Sequence, residues 1–518
     1  MVDLYISFLY ALRIAWPPIT MATQHPDNAS APFWRPSDPF ISTQDEIDEL
    51  LLLFKDFPID EYMWDWEGKY VDEAVGEKLF SRAADFFGKH PLGSDLHLTY
   101  RIPALEGGRM HRLARAFMNV LSLADFADDI GLARPPVTEM FLPLTTAASQ
   151  PLAVLTAFRD VAQYHKSVFH QTHAPKHDLL SMISVTPLVE DTDSMFEIEH
   201  IVRMYWKELQ GQKDLSGGQR IFLARSDPAL NAGLVPAVLA VKSALSTVTE
   251  VGESLGFPVF PILGTGSLPF RGSVNPTYLD TFLNQYAGTR TYSIQSAFRY
   301  DYPELEVQDA LQKMKTEVPK YSVVRLSKEE HADVQKLASL FSQFWRPTIE
   351  VLAPLINTVA AHVPPRRERL QHIGLFGYSR GLGQVKLPRA IGFTAALYSI
   401  GIPPELIATG RGLAAAEREG MLPLLARFYP ALRADLQHAG KYFNRENLEL
   451  LASRESVFKD IQEDVASIER ILQMELGPQK PRHMIHRNLT STILHRLDQN
   501  ESLSHDIVEA GKIRRSLG

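Results

Sequence analysis

The sequence has no cysteine in 518 residues. Disulfides, thiolate metal centres and thiol nucleophiles are therefore excluded, and the composition suits a reducing cytoplasm. Basic charge is not in excess either. Fifty-three Lys and Arg stand against 61 Asp and Glu, a formal net charge of −8. That balance offers no global attraction to nucleic acid or to an anionic membrane, so neither is expected as a partner. Long apolar runs are also missing. The stretch Leu4 to Leu12 is too short to span a bilayer. It has no basic residue before it and Arg13 soon after, the reverse of a signal peptide. Residues 1–16 read as an N-terminal extension, with Met21 as an alternative start. A phosphate-binding loop of the Gly-x-x-x-x-Gly-Lys-Ser/Thr kind is absent too. The string Leu215-Ser216-Gly217-Gly218-Gln219 matches the signature of ABC-type ATPases, but without that loop it is better read as a turn before a strand.

What is present is a set of short segments that place a base, a carboxylate or a guanidinium at the end of a β-prone or loop-forming run. Thr23-Gln24-His25-Pro26-Asp27-Asn28 carries a histidine. Leu98-Thr99-Tyr100-Arg101 ends in an arginine, and Leu188-Val189-Glu190-Asp191 ends in acids. Arg225-Ser226-Asp227-Pro228 and Phe270-Arg271-Gly272-Ser273-Val274-Asn275-Pro276 follow, and a sixth segment lies around Arg380. One base, two carboxylates and several guanidiniums are the parts that hold a divalent metal beside a multiply charged phosphate.

These segments fall into a repeat. Short apolar runs end near His25, Trp66, Arg101, Thr145, Glu190, Asp227, Gly264 and Ala297, and a helical stretch follows each. Roughly 33 to 45 residues separate them, room for a strand, a loop, a helix and a return. Eight such units predict an α/β fold, a (β/α)8 TIM-type barrel over residues 17–302, with functional groups at the C-terminal ends of its strands. From residue 303 to 518 the strand signal fades. An additional C-terminal α-helical layer is expected, with helices over Lys328 to Ile356 (broken at its prolines), Leu387 to Ile400, Pro404 to Glu419 and Arg445 to Gln473. A loop at 375–386 holds Gly377, Gly381 and Gly383.

Each motif also has a plainer reading. His25 precedes a proline, which disfavours helix and leaves it extended at a strand end. It could serve as a base near neutral pH, or be an ordinary loop histidine. Glu190 and Asp227 end consecutive runs and could share one cation, as Mg²⁺ often takes one or two protein carboxylates. Asp227 before Pro228 would equally suit a helix N-cap. Arg271 sits in a glycine-rich loop where backbone amides and a guanidinium can approach phosphate. Arg101, Arg380 and Arg389 could bind an anion, or be solvated or ion-paired.

Taken together, the segments resemble the archaeal-type phosphoenolpyruvate carboxylases. The likeness runs from about Ile19 to Gly518. Its most specific stretches are Met21 to Asn28, Met63-Trp64-Asp65-Trp66-Glu67-Gly68-Lys69, Phe222 to Gly233 and Tyr378 to Gln384. The resemblance implies a barrel with extra helices and a lyase that joins phosphoenolpyruvate to bicarbonate, giving oxaloacetate and phosphate, with Mg²⁺ or Mn²⁺. It implies His25 as the group that takes the proton from carboxyphosphate, and Glu190 and Asp227 as metal carboxylates. Arg101 and Arg271 would hold phosphate or bicarbonate, acting in catalysis and binding. Arg380 and Arg389 would bind substrate in and beside a mobile loop. Gln295 and Arg299 fall in a matching stretch without an assigned role. A cytoplasmic homotetramer is the family's habit.

The chain departs from the long branch of that family. Leu230 stands where the long branch has a lysine, and Thr265 stands at the first arginine position of its glycine loop, leaving Arg271. Effector sites of the longer proteins cannot be carried over. The C-terminal Arg514 to Gly518 ends in glycine, as the long branch does. Two alternatives remain open from sequence. One is a lyase or mutase acting on phosphoenolpyruvate or a 2-oxo acid on the same barrel. The other is a non-catalytic metabolite-binding homologue.

Overall fold

A computed structural model describes residues 17–105, 110–171, 176–177, 179–212, 214–368, 380–382 and 385–518. Eight parallel strands close into a barrel in chain order. They are β1 Thr20–Thr23, β2 Glu61–Asp65, β3 His97–Arg101, β4 Glu139–Leu142, β5 Ser184–Val189, β6 Gln219–Ala224, β7 Val259–Gly264 and β8 Thr291–Ile294. β8 closes on β1 through Thr20↔Tyr292, Met21↔Ser293 and Ala22↔Ile294. Each ends at, or within three residues of, the position the repeat gave it. The expected α/β architecture, a (β/α)8 barrel with further C-terminal helices, is the one observed.

The strand period of two explains why the functional groups converge. At the base of the barrel Arg220 of β6 bridges Glu61 of β2 (2.7 Å) and Glu139 of β4 (2.8 Å), and donates to Thr291 of β8 (3.2 Å). This is one layer drawn from alternate strands, as barrel interiors are built. Burial opposes the charge on Arg220, but Glu139 and Glu61 outweigh it and hold the guanidinium above its ordinary value. Two residues on, an apolar layer gathers Met21, Met63, Phe141, Leu188, Phe222 and Ile262. Another step of two brings Thr23, Asp65, Glu190, Ala224 and Gly264 to the strand mouths. A salt-bridged floor and a greasy middle therefore leave a polar rim at the C-terminal end.

The helical region shares a core with the barrel's β6–β7 side. Leu230, Leu234 and Val238 pack in one cluster with Leu337, Phe341 and Trp345. Phe270 stacks on Phe393 (5.6 Å) and lies 5.5 Å from Trp345. Among the described residues one helix, Leu234–Leu255, is long and apolar enough to cross a membrane, and 83% of its apolar window is buried inside the protein.

Several boundaries differ from the sequence reading. The expected break in the long helix does not occur. Lys328–Ala360 runs through Pro347 and Pro354 as one helix, opened by a capping box between Ser327 and Glu330. A proline inside a helix costs about 3 kcal/mol. Leu337, Phe341, Trp345, Ile349, Leu352 and Ile356 form a buried stripe, and each is worth roughly 1.5–3 kcal/mol, so burial wins. The helix expected from Leu387 begins only at Ala390 and ends at Ser399. Before it, part of the expected loop is a hairpin of β9 Arg380–Leu382 and β10 Val385–Leu387, with Arg380 opposite Leu387. Gly377 and Gly383 lie outside the described residues, as does the extension at 1–16. The segment expected as one helix from Arg445 is two, Arg445–Arg454 and Val457–Leu472. Helix Thr409–Arg418 starts five residues later than expected. The decoy string is indeed a turn, closed by Gly218 N–H donating to Leu215 O (2.8 Å), with β6 starting at Gln219.

Candidate active site

A cavity of about 90 Å³ opens at the C-terminal mouth of the barrel. His25, Arg101, Glu190, Asp227, Arg271 and Arg389 all line it, with Glu67, Gly68, Ser293 and Gln295. Six of the seven residues singled out from sequence are thus brought together. Their positions in the chain range from 25 to 389.

One wall comes from β1, β7 and β8. His25 lies two residues beyond β1, and its Nδ1 is 2.9 Å from Thr23 Oγ1, a contact that orients the ring. The backbone carbonyl of His25 accepts from Ser296 Oγ (2.6 Å). Arg271 follows β7 in a short 3-10 turn and is buried. Its guanidinium donates to Asp27 Oδ2 (2.9 Å), to Gln295 Oε1 and to Gly518 O. Asp27 in turn accepts from Ala297 N–H (2.7 Å). Burial pulls Arg271 below its ordinary value and only Asp27 opposes this. Its Nε is buried and has no hydrogen-bond partner among the described residues. A buried guanidinium in the cavity lining that keeps an unused donor can still take an incoming anion.

The glycine-rich loop has a steric reason. A Cβ on Gly266 would sit 2.7 Å from the carbon of the Arg271 guanidinium. The last residue is equally confined. A Cβ on Gly518 would lie 2.1 Å from Ile391 O and 2.6 Å from Ala395 N. Leu517 N–H donates to Asp27 O (2.7 Å), so the tail is latched to the segment that follows His25.

The second wall comes from β2 and β3. Arg101 donates to both oxygens of Asp65, Nε at 3.0 Å and NH2 at 2.6 Å. Asp65 is held by the N–H groups of Glu67 (3.1 Å) and Gly68 (3.2 Å). Burial works against the charge on Arg101, but Asp65 and, at longer range, Glu190 and Glu67 hold it above its ordinary value. Arg389 stands just before helix Ala390–Ser399. A Cβ on Gly68 would meet Arg389 NH1 at 3.3 Å and Arg101 NH2 at 3.7 Å, so the bare glycine leaves room for both guanidiniums.

The third wall comes from β4, β5 and β6. Glu190 follows β5 directly and is 8% exposed. Its Oε2 accepts from Leu144 N–H (2.8 Å), at a residue whose φ of +56° is seldom adopted by leucine. Strained backbone of that kind recurs beside functional groups. Asp227 does not end a strand and is not an N-cap. β6 stops at Ala224, Arg225 occupies the cap position and Asp227 lies in the first turn of Ser226–Ala232. The two carboxylates still face one cavity. An oxygen-only donor pair of this kind fits a hard divalent cation such as Mg²⁺ or Mn²⁺.

Arg380 opens β9, and its side chain lies outside the described residues. Arg299 is a structural clamp, donating to Thr23 O (3.1 Å), Ile294 O (2.5 Å) and Glu49 Oε1 (3.0 Å). Gln295 steadies Arg271. Leu230 is buried in the helical core, its carbonyl accepting from Trp345 Nε1 (2.8 Å). Thr265 is tied to Ser293 through its backbone N–H (2.7 Å). Asp27 and Asp65 were given no role from sequence. The usable signal was that an arginine at a barrel strand end needs an anion, and that Asp65 ends the strand beside Arg101.

A closed parallel barrel with base, acid and guanidinium groups gathered at its C-terminal mouth has the layout of a TIM-barrel enzyme. Comparison narrows this class. A family model described as phosphoenolpyruvate carboxylase matches residues 18–518. The chain belongs to the phosphoenolpyruvate carboxylase family. It is 36% identical to the phosphoenolpyruvate carboxylase of Leuconostoc mesenteroides over 92% of this chain and 94% of that one. It is also 36% identical to those of Metallosphaera sedula and Caldivirga maquilingensis, in each case over 97% of this chain and 99% of the relative. A solved structure, RipC from Yersinia pestis, overlaps 58% of the chain at 11% identity with a TM-score of 0.31, too loose to bear on function.

Proposed function

We propose that this chain is a carboxy-lyase that joins phosphoenolpyruvate to bicarbonate, releasing oxaloacetate and phosphate. The observation that carries the reading is the convergence of one histidine, two carboxylates and three arginines on a single cavity. A bicarbonate oxygen attacks phosphorus and the bond to the enol oxygen breaks, leaving carboxyphosphate and the enolate of pyruvate. His25 accepts the carboxyphosphate proton. Carboxyphosphate then splits into CO₂ and phosphate, and the methylene carbon of the enolate attacks the CO₂ carbon, forming oxaloacetate.

The chain's residues meet the demands of these steps. Arg271 and Arg101, acting in catalysis and binding, neutralise charge on the transferring phosphoryl group, where preorganised donors are most effective. Arg389 approaches from the helical layer as a further substrate contact, and Arg380 is assigned beside it on the hairpin. Ala390 and Ile391 at the start of helix Ala390–Ser399 line the mouth and Gly518 packs against Ile391, which favours a dry site where the enolate is not protonated to pyruvate. Glu190 and Asp227 would hold Mg²⁺ or Mn²⁺, which supplies positive charge beside the enolate oxygen. A cytoplasmic homotetramer, organised as a barrel over residues 17–302 and a helical region over 303–518, accords with the family.

A coupled assay tests the reading. Phosphoenolpyruvate and Mg²⁺ are incubated with the protein, with and without bicarbonate, following oxaloacetate and phosphate separately. Equal, bicarbonate-dependent release of both is expected. Turnover of phosphoenolpyruvate that ignores bicarbonate would favour a different lyase or mutase, and no turnover a non-catalytic homologue.

A further inference from the structure

A second cluster of ligating side chains lies at the opposite end of the barrel. Asp125 is in the last turns of helix Met110–Asp129, and His165 and His170 are at the end of helix Ser149–Phe169. Barrel helices run back against their strands, so these helix ends face the strand starts, away from the catalytic mouth. His170 Nε2 is 2.9 Å from Asp125 Oδ1, and His165 Nε2 is 3.3 Å from Asp125 Oδ2. One donor atom from each of the three falls within 4.8 Å of the other two.

The backbone makes this meeting possible. Residues five apart on a regular helix point about 140° away from each other. His170 has left the helix (φ −109°, ψ 39°), and its ring swings to within 5.4 Å of the His165 ring. Metal–ligand bonds of about 2.0–2.2 Å in a tetrahedron put donors roughly 3.3–3.6 Å apart; the two imidazoles sit 2.9 and 3.3 Å from different oxygens of Asp125, so a rotation of the carboxylate presents one oxygen to both. Two helix C-termini converge here, and their partial negative charge favours a cation. Asp125 is 34% exposed, so an ion can enter from solvent.

We propose that Asp125, His165 and His170 form a transition-metal site of the Zn²⁺ class, separate from the catalytic carboxylates, which ties two outer barrel helices together at the base. Its two-imidazole, one-carboxylate set is softer than the all-oxygen pair of Glu190 and Asp227, so it selects Zn²⁺ or Co²⁺ over Mg²⁺.

The test uses the full-length chain, stripped of metal and held in excess Mg²⁺ so that oxygen-only sites are filled. Titration with Co²⁺ should give one equivalent with the strong visible bands of four-coordinate Co²⁺, and Zn²⁺ should bleach them. Saturating Zn²⁺ should raise the melting temperature by roughly 2 °C. His170→Gln and Asp125→Asn, both at partly exposed positions, should each lose the bands and the Zn²⁺ shift while retaining the wild-type circular dichroism and turnover within about twofold. Weak six-coordinate bands, or bands that persist in both variants, would overturn the site. Lost turnover in a folded variant would overturn its separateness from catalysis.

Discussion

Arg101 and Asp65 end neighbouring strands and are joined by two parallel hydrogen bonds of 3.0 and 2.6 Å. Bidentate pairing fixes the plane of the guanidinium at the cavity rim, where Arg389 also approaches Gly68. Asp65→Ala should leave Arg101 charged but unaimed. The expected loss is about 10- to 100-fold in kcat/KM for phosphoenolpyruvate, because preorganised donors at a charged transition state are typically worth this much or more. Steady-state kinetics measure it, and an unchanged value would remove the pair from the site.

His25→Asn should separate the two halves of the reaction. Oxaloacetate formation should fall by about 10²- to 10⁴-fold, the usual contribution of an acid–base group. Some bicarbonate-dependent phosphate release should survive. If both products disappear together, His25 acts earlier than the proton transfer assigned to it.

Asp227→Asn and Glu190→Gln remove one negative charge each from the proposed cation site. The Mg²⁺ concentration for half-maximal activity should rise roughly tenfold or more for either variant. Wild-type metal dependence in both would take these carboxylates out of metal binding.

Gly518→Ala places a methyl group against Ile391 O and Ala395 N. Those contacts cannot be met without moving the tail, and the tail's Gly518 O is a partner of Arg271. Turnover should drop by about tenfold or more while the melting temperature changes by only a few degrees. A fully active variant would show that the latch plays no part in catalysis.

Glu405 grips the turn that carries Arg271, accepting from Phe270 N–H (2.8 Å) and Tyr398 Oη–H (2.8 Å). Burial pushes its carboxyl up to about 7, from an ordinary 4.5. The folded protein therefore holds a proton between pH 4.5 and about 7 that the unfolded chain releases. The stabilisation is complete below 4.5 and fades as pH rises through 7. Glu405→Gln does not titrate, so its melting temperature minus that of the wild type should increase from pH 5 to pH 8. A difference that stays flat would show that Glu405 does not titrate in this window.

Much of this was legible in the chain. The recurrence of β-prone runs and helices is set by local chemistry, since strand and helix periods are written in neighbouring residues. Eight units leave few topologies, and right-handed crossovers leave fewer. The placing of His25, Arg101, Glu190 and Arg271 at or just past strand ends follows from the same pattern. Asp227 was placed in the right loop but on the wrong element, because strand and helix boundaries depend on hydrogen bonds that a linear pattern does not reveal.

Pairing across the chain belongs to the tertiary structure. That Asp27 neutralises Arg271, that Gly518 reaches the barrel mouth, and that Arg299 is a clamp follow from which loops meet once the barrel closes. No local rule connects residues 27, 271 and 518. The long helix persists through Pro347 and Pro354 for a similar reason. Its apolar stripe has a partner surface only after the barrel is formed, and that burial outweighs a local preference to break. Local propensity and hydrophobic period determined the elements and their order. Long-range burial and charge pairing decided which side chains share the site.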